Sequence, residues 1–369
     1  MAGLRLLLAV GALLPPILGQ GLEEFFDASG DIVRGTAPET RLYWQSHLTT
    51  SRERILQAAD LADGTRIVTV LGAGLGMEIP LAELARRFER LILVDLDGRS
   101  MLQSLRQVPT ELRARVDLKV MDVTSFAGPL IEQIEQAVEM SSTSEEAFER
   151  FGVILDGLRA GDPPSLPKSD LVVSSLLLSE IPRYPFSYAA QAAEARFGVT
   201  LQTWDRSDQF FRRLVELSIE DHVELLAELV SPGGVVYFSD TIARGLADRP
   251  RAEAIRRAVE ARAAPDLIGL GIADSAAGVT SAVNALCRAK HSPATEAEAF
   301  ERLLAQFREA DGRFFEPLLP IGELGDQCSK RGLELRGDPE SWWWLAYPCK
   351  VLREAGAFLV SSWMLELRN

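Results

Sequence analysis

The sequence is poor in the residues that build metal sites and disulfide frameworks. It has three histidines and three cysteines in 369 residues. The cysteines Cys287, Cys328 and Cys349 are odd in number, and neither they nor the histidines show the close spacing of a zinc site. We therefore predict no metal site. Unpaired thiols indicate a reducing compartment, so we predict a cytoplasmic protein.

Clustered basic charge and a membrane-length apolar run are also lacking. Lys and Arg number 39 against 53 Asp and Glu, which gives a net charge of −14 and argues against nucleic acid as a partner. The apolar run from Leu6 to Leu14 ends at Pro15, too early for a stable membrane span. A buried helix is favoured over a secretory signal, because Ile17 stands where a cleavage site would need a small residue.

Short apolar runs alternate with helix-like segments from residue 67 onward. The runs lie at 67–71, 91–94, 116–121, 171–176 and 235–238. Near-continuous apolar strands are covered on both faces, and their alternation with helices predicts crossover connections. The sequence thus predicts an α/β fold with a doubly wound, mostly parallel sheet. The helix from about Gln209 to Val230 is the best defined, and Pro232-Gly233-Gly234 follows it as a turn.

The remaining segments predict the domain organisation. Residues 1–60 lack strand character and are predicted to form an N-terminal helical cap. The main domain is predicted to cover 61–369, with a helical insertion at about 241–332 that is rich in Ala, Arg and Glu. Two β-rich runs, 342–347 and 357–367, predict a terminal antiparallel strand pair.

Three glycines follow the first strand. Gly72, Gly74 and Gly76 stand before a helical segment predicted from Met77 to Phe88. Glycine permits a tight turn and lets backbone amides approach a ligand, and open α/β sheets bind ligands at this end of their strands. The dinucleotide fingerprint requires a glycine at its sixth position, where this chain has Met77.

An acidic residue follows the second strand at the spacing that suits a ribose. Asp95 lies 19 residues after Gly76, and a carboxylate there accepts hydrogen bonds from two hydroxyls. The alternative is that Asp95 and Asp97 only begin the next helix.

These features, in this order, resemble the class I S-adenosylmethionine-dependent methyltransferase family. The resemblance covers about residues 65–240. It is carried by the glycine motif Leu71 to Gly76, the segment Val94 to Asp97, Met121-Asp122-Val123, the strand Asp170 to Leu176 and the turn Ser231 to Gly234. The chain departs from the family at Val70, where an acidic residue is common. The family fold has a seven-stranded sheet with an antiparallel strand at its C-terminal end, and the terminal strand pair is similar to its last two strands.

The resemblance implies S-adenosylmethionine as the cofactor and a set of binding residues. It places Asp95 and Leu96 at the ribose, Asp122 and Val123 at the adenine, and Ser174 and Ser175 beside the methionine moiety. The implied cofactor-binding residues are Gly72, Ala73, Gly74, Gly76, Asp95, Leu96, Asp122, Val123, Ser174 and Ser175. Asp122 can also be an ordinary turn-forming aspartate.

Two carboxylates that follow the fourth and fifth strands are candidate catalytic residues. Glu180 stands where the transferable methyl group is expected and can position an acceptor or accept its proton. Asp240 has a similar place after the fifth strand. Each can instead be a loop or turn carboxylate. Aromatic residues at 184, 186, 188, 197 and 204 predict a lid or acceptor pocket, or else packing against inserted helices.

The leading hypothesis is an enzyme that transfers a methyl group from S-adenosylmethionine to a small-molecule acceptor by in-line displacement. Alignment of the acceptor supplies much of the catalysis in such a reaction. An NAD-dependent oxidoreductase and a non-catalytic S-adenosylmethionine-binding protein are the alternatives. The identity of the acceptor and the oligomeric state stay open.

Overall fold

The computed structural model describes residues 44–247, 254, 257, 316–347 and 355–368. Helix α1 covers residues 44–61, which is the described part of the predicted N-terminal cap. The other helices are α2 (Leu81–Arg87), α3 (Gly98–Ser104), α4 (Ala127–Glu139), α5 (Ser144–Gly157), α6 (Arg183–Phe197), α7 (Ser207–Leu229) and α8 (Ile321–Lys330).

Nine strands of the described ranges form one sheet. They are β1 (Ile67–Leu71), β2 (Arg90–Asp95), β3 (Val116–Val120), β4 (Ser169–Ser175), β5 (Val230–Ala247), β6 (Glu316–Pro317), β7 (Leu333–Leu335), β8 (Glu340–Tyr347) and β9 (Ala355–Leu367).

The main path of the sheet has seven strands in the order β3-β2-β1-β4-β5-β9-β7. The strands from β3 to β5 are parallel, and β9 is antiparallel to β5. The prediction of a mostly parallel seven-stranded sheet with an antiparallel C-terminal strand is therefore confirmed. The strand order reverses between β1 and β4, and this switch point opens a crevice beyond their carboxyl ends.

Helices cover both faces of the sheet, as a doubly wound fold requires. On one face, Ile55 of α1 and Leu84 of α2 pack against Val70 and Val173. On the other face, Leu130 of α4 and residues from α5 to α8 pack against the opposite side chains of the same strands. Because successive side chains of a strand point to opposite faces, each strand contributes to both cores. This rigid double layer fixes the loops at the carboxyl edge.

Three predicted boundaries were wrong. The helix after the glycines begins at Leu81 and not at Met77, because Pro80 disfavours a helical conformation at the residue before it. The predicted turn at 231–234 lies within β5 as a bulge, where the register shifts between Ser169 and Leu171. Strand β5 then continues to Ala247 instead of ending near residue 238.

The C-terminal strands form a larger arrangement than the predicted pair. Strands β8 and β9 are antiparallel partners, as predicted. The place beside β9 on the seven-strand path, however, belongs to the three-residue strand β7, which pairs with the end of β9. Strand β8 is an addition that pairs with residues earlier in β9, so the similarity of the predicted pair to the last two strands of the family holds only for β9.

Parts of other predictions lie outside the described residues. These include residues 1–43, Cys287, Cys349 and most of the predicted insertion at 241–332. In the described ranges, no helix is long and apolar enough to cross a membrane. The same ranges contain no group of three or more His, Cys, Asp or Glu residues that could hold a metal ion.

Candidate functional site

The glycine loop follows β1 at the switch point of the sheet. Gly72, Gly74 and Gly76 have φ angles of +66°, +43° and +60°, a region that residues with a side chain rarely adopt. A Cβ atom at Gly72 would also lie 2.9 Å from a methyl carbon of Leu177. The loop is held to the sheet because the Ala73 amide donates to the Val94 carbonyl at 3.1 Å. The left-handed backbone of this loop thus favours glycine at the three positions where the sequence motif has it.

Asp95 joins this loop to the end of β2. One carboxylate oxygen accepts the amide of Gly74 at 2.8 Å, and the other accepts the amide of Asp97 at 2.7 Å. Burial raises the pKa of Asp95, and the two amide hydrogen bonds oppose that rise. Each oxygen keeps acceptor capacity for a further donor. The carboxylate is therefore preorganised to accept hydroxyl hydrogen bonds.

Asp97 has a structural role. It is the N-cap of α3, and its carboxylate accepts the Ser100 amide at 2.9 Å and the Ser100 hydroxyl at 2.6 Å. The alternative weighed for the two aspartates, that they begin the next helix, applies to Asp97. Asp95 lies before the helix and faces the cleft.

A cleft with about 480 Å³ of empty space opens beside Asp95. Its walls come from the ends of β1, β2, β3 and β4 and from the start of α6. The lining residues are Gly72, Asp95, Leu96, Met121, Asp122, Val123, Thr124, Ala127, Leu177, Ile181 and Tyr184. The cleft brings together five of the predicted cofactor-binding residues, from three separate strand ends. It is mainly apolar with carboxylates at two places, which suits a flat ring joined to a sugar.

Asp122 lies at the end of the cleft that β3 forms. One of its oxygens accepts the amide of Thr124 at 2.8 Å and the Thr124 hydroxyl at 2.9 Å. This is a turn that begins the approach to α4, so the turn-forming role considered for Asp122 is present. Burial raises the pKa of Asp122. The residue combines the turn with a place in the cleft wall.

Ser174 and Ser175 lie next to the cleft but not in its lining. Ser174 is fully buried and shares a 2.8 Å hydrogen bond with His222 of α7. Ser175 points to the other face of the sheet and shares a 3.2 Å hydrogen bond with Ser239 of β5. Burial lowers the pKa of His222 to about 4. The imidazole is therefore neutral near pH 7, deep in the protein and not on its surface.

The two catalytic candidates have different surroundings. The Glu180 side chain is 41% exposed and forms a 2.7 Å ion pair with Arg183 in the first turn of α6. Asp240 is fully buried, and its carboxylate accepts the amides of Ser179 at 2.9 Å and Thr241 at 2.6 Å. Burial raises the pKa of Asp240 to about 6. Glu180 is accessible to an acceptor, whereas Asp240 fastens the loop that carries Glu180.

The aromatic residues that follow β4 are divided between the two predicted roles, a pocket for the acceptor and packing against helices. Tyr184 lines the cleft. Phe186, Tyr188 and Trp204 are buried, and Trp204 stacks on Phe148 with ring centroids 5.8 Å apart. Tyr184 is therefore placed to contact a ligand, whereas the buried aromatic residues pack among helices α4, α5, α6 and α7.

Sequence reasoning missed several residues of the cleft wall. Thr124, Ala127, Leu177 and Ile181 were not singled out. All four follow a strand whose end was recognised, so their position just after β3 or β4 was the available signal. Their side chains carry no distinctive chemistry, which is why a search for functional groups passes over them.

Comparisons with known proteins find no matching family model and no matching curated protein. Among solved structures, the chain is similar to a SAM-dependent methyltransferase from Leishmania major, with 10% identity, 98% of this chain and 82% of the other covered, and a TM-score of 0.36. It is similar to the N-methyltransferase NodS from Bradyrhizobium japonicum in complex with S-adenosyl-L-homocysteine, with 11% identity, coverage of 85% and 86%, and a TM-score of 0.29.

A third structure is a S-adenosylmethionine-dependent methyltransferase from Clostridium acetobutylicum, with 7% identity, coverage of 87% and 92%, and a TM-score of 0.37. The sheet order of this chain and its antiparallel β9 are themselves those of the Rossmann-like class I methyltransferase fold.

Proposed function

We propose that the chain is an enzyme that binds S-adenosylmethionine in the cleft at the switch point and transfers its methyl group to a small-molecule acceptor. One observation carries this proposal. Gly72, the first of three left-handed glycines after β1, and Asp95, a carboxylate at the end of β2, border the same cleft, and the Gly74 amide of that loop donates to Asp95. In this arrangement Asp95 accepts the ribose hydroxyls, and Asp122 with the Val123 amide borders the adenine. The carboxylates also favour a ligand that carries a positive sulfonium.

The reaction needs alignment more than a strong base. A lone pair on the acceptor attacks the methyl carbon, the carbon–sulfur bond breaks, and its electron pair stays on the sulfur of S-adenosylhomocysteine. The acceptor loses a proton to Glu180 or to water. We assign Glu180 to the acceptor side because its side chain is 41% exposed and the next residue, Ile181, lines the cleft, and we assign Asp240 to positioning the 178–180 loop. Holding the reactants in line supplies much of the rate.

The acidic chain supports a small acceptor and not a nucleic acid, since the net charge is −14. Its three cysteines, an odd number, support a cytoplasmic location. Among the described residues, Cys328 is a free and buried thiol, as a reducing compartment allows.

Ligand-induced stabilisation tests the cofactor. A ligand at about a hundred times its Kd stabilises the fold by roughly 2.7 kcal/mol. We expect S-adenosylhomocysteine to raise the melting temperature, NAD to leave it unchanged, and Asp95→Ala to abolish the rise. Asp117→Ala, which removes an exposed carboxylate on β3, is the control. Stabilisation by NAD alone would favour an oxidoreductase.

Transfer itself needs a separate experiment. Radiolabelled S-adenosylmethionine is incubated with the protein and the small-molecule fraction of a cell extract, and labelled products are separated. We expect a labelled small molecule, and we expect the Glu180→Gln variant to form less of it. Binding of S-adenosylhomocysteine without any labelled product would instead indicate a binding protein without catalysis.

A further inference from the structure

The side of the cleft assigned to the adenine is formed largely by one short segment after β3, which we call the β3 loop (residues 121–125). The residues of this loop that line the cleft are Met121, Asp122, Val123 and Thr124. The hydrogen bonds of Asp122 and Thr124 are local, because Thr124 donates its amide and its hydroxyl to Asp122 and accepts the amide of Ala127 at 3.0 Å. The last residue, Ser125, lies behind the lining and makes contacts of longer range.

Asp221 of α7 accepts two hydrogen bonds from Ser125. One carboxylate oxygen accepts the Ser125 amide at 3.0 Å, and the other accepts the Ser125 hydroxyl. The Ser125 hydroxyl in turn accepts the amide of Gly161 at 2.7 Å. Asp221 is buried, which raises the pKa of its carboxyl, and the hydrogen bonds from Ser125 oppose that rise. Hydrogen bonds to a carboxylate are among the stronger ones in proteins, so Asp221 is a firm anchor for the β3 loop.

Helix α7 is a rigid support for this anchor. It has 23 residues, and Leu217 and Leu225 on either side of Asp221 are buried in the core that covers the sheet. The next residue, His222, shares a 2.8 Å hydrogen bond with Ser174 at the end of β4. Two consecutive residues of α7 therefore hold two of the strand ends that border the cleft.

The β3 loop carries the two groups that face the adenine in the proposed function, the Asp122 carboxylate and the Val123 amide. Adenine donates from its 6-amino group and accepts at N1, whereas hypoxanthine accepts at its 6-oxo group and donates from N1. A site with one acceptor and one donor rejects the reversed pattern only while both groups keep their positions. We propose that Asp221 is a positioning residue for base recognition, which holds the β3 loop through Ser125 so that the cleft selects adenine over a 6-oxopurine. This inference rests on the proposed function.

Two ligands that differ only in the base provide the test, S-adenosylhomocysteine and S-inosylhomocysteine. Isothermal titration of both is carried out on the full chain and on its variants. We expect Asp221→Ala to weaken S-adenosylhomocysteine by about tenfold, the lower range for a lost hydrogen bond to a charged group. The affinity for S-inosylhomocysteine should change by less than about twofold, because that base does not match the positioned groups. The preference for adenine therefore falls.

A conservative variant and a matched control separate positioning from general stability. Asp221→Asn should keep most of the preference, because the asparagine oxygen can accept the Ser125 amide and its NH₂ group can donate to the Ser125 hydroxyl. Glu224→Ala is the control, since Glu224 lies one turn further along α7 and binds Arg331 of α8 at 2.8 Å, with neither residue in the lining of the cleft. Both alanine variants should lower the melting temperature, but only Asp221→Ala should change the ratio of the two affinities.

Ser125→Ala tests the same contact from the loop and applies even if Asp221→Ala does not fold. It removes the hydroxyl and keeps the amide, so we expect a smaller loss of the preference for adenine. An unchanged affinity ratio in the Asp221 and Ser125 variants would overturn this inference and leave the proposed function intact. Equal affinity of the unmodified chain for the two ligands would do the same. If the unmodified chain bound neither ligand, the proposed function would be wrong, and this inference with it.

Discussion

At the scale of single residues, the glycine loop is where a small change has the largest effect. Gly72 combines a φ of +66° with a close neighbour, Leu177, which lines the cleft. An added methyl group must strain the backbone, which costs about 1–2 kcal/mol for a left-handed residue, and must also push Leu177 toward the ligand. Stability and binding are therefore coupled at this position.

We expect Gly72→Ala to lower the free energy of unfolding by about 1–3 kcal/mol and to weaken S-adenosylhomocysteine. Gly157→Ala is the matched control, because nothing lies within 4 Å of a Cβ atom there and the residue ends α5. That change should be neutral or stabilising by up to about 1 kcal/mol. Urea unfolding and titration measure both quantities, and equal effects of the two substitutions would contradict the argument.

Asp240 makes stability depend on pH with a definite sign. Its pKa is raised to about 6 in the folded protein from an unfolded value of 3.8. Its stabilising contribution is thus fully present below pH 3.8 and is lost as the pH rises through about 6. Relative to Asp240→Asn, the wild type should gain up to about 3 kcal/mol between pH 7.5 and pH 4.

The difference between wild type and variant isolates Asp240 from His222, which has the opposite sign. Burial lowers the pKa of His222 from its ordinary value of 6.5 to about 4. The contribution of His222 to the free energy of unfolding is therefore present above pH 6.5 and is lost as the pH falls through about 4. Unfolding of both proteins by urea at several pH values measures the difference. A constant difference would show that Asp240 is not held in the buried surroundings described.

At the scale of elements, the local sequence predicted strands β1–β4 but not the short strands β6 and β7. The four runs before residue 180 correspond to β1–β4. Strands β1, β2 and β4 are largely buried and hence mainly apolar, whereas β3, at the edge of the sheet, alternates apolar and charged residues. Strand β7, with three residues, and β6, with two, exist only through their pairing with distant strands. Arg52 and Met77 could not be recognised as neighbours from the sequence, since only the packing of α1 on the loop brings the guanidinium to the Met77 carbonyl. The cleft carboxylates, at strand ends, could be.

The end of β4 shows how an element shapes the site. Leu176 has a φ of +54°, and its amide donates to the Ser239 carbonyl at 2.8 Å. No other described residue except glycine has a positive φ. This turn directs the following residues over the glycine loop and into the wall of the cleft. Backbone strain of this kind is often found at functional sites.

We expect Leu176→Val to be less stable than Leu176→Asn by at least about 1 kcal/mol, although valine resembles leucine more closely. A β-branched side chain tolerates a left-handed backbone poorly, whereas asparagine tolerates it well. The order should reverse at the buried Leu178, which is not left-handed. Thermal unfolding of the four variants measures this. A valine that is the better replacement at both positions would show that Leu176 is not strained.

At the scale of the whole molecule, the glycine loop is in contact with both the cleft and helix α1. Gly72 of the loop lines the cleft, whereas Met77 packs against Leu48 of α1 and its carbonyl accepts from Arg52. Helix α1 is also held by β8, where Trp342 donates to His47 at 3.0 Å. A ligand that orders the loop therefore also affects α1.

Hydrogen exchange should reveal this connection. We expect S-adenosylhomocysteine to slow amide exchange most in the glycine loop and the Asp95 segment, which border the cleft. It should slow exchange to a smaller extent at residues 44–55 of α1, because α1 packs on the loop and binding to the folded state alone suppresses local opening. Helix α5, which contributes no residue to the lining of the cleft, is the control and should be unchanged. Equal protection of α5 and α1 would mean that the ligand stabilises the whole fold and that the loop has no special part in transmitting the effect.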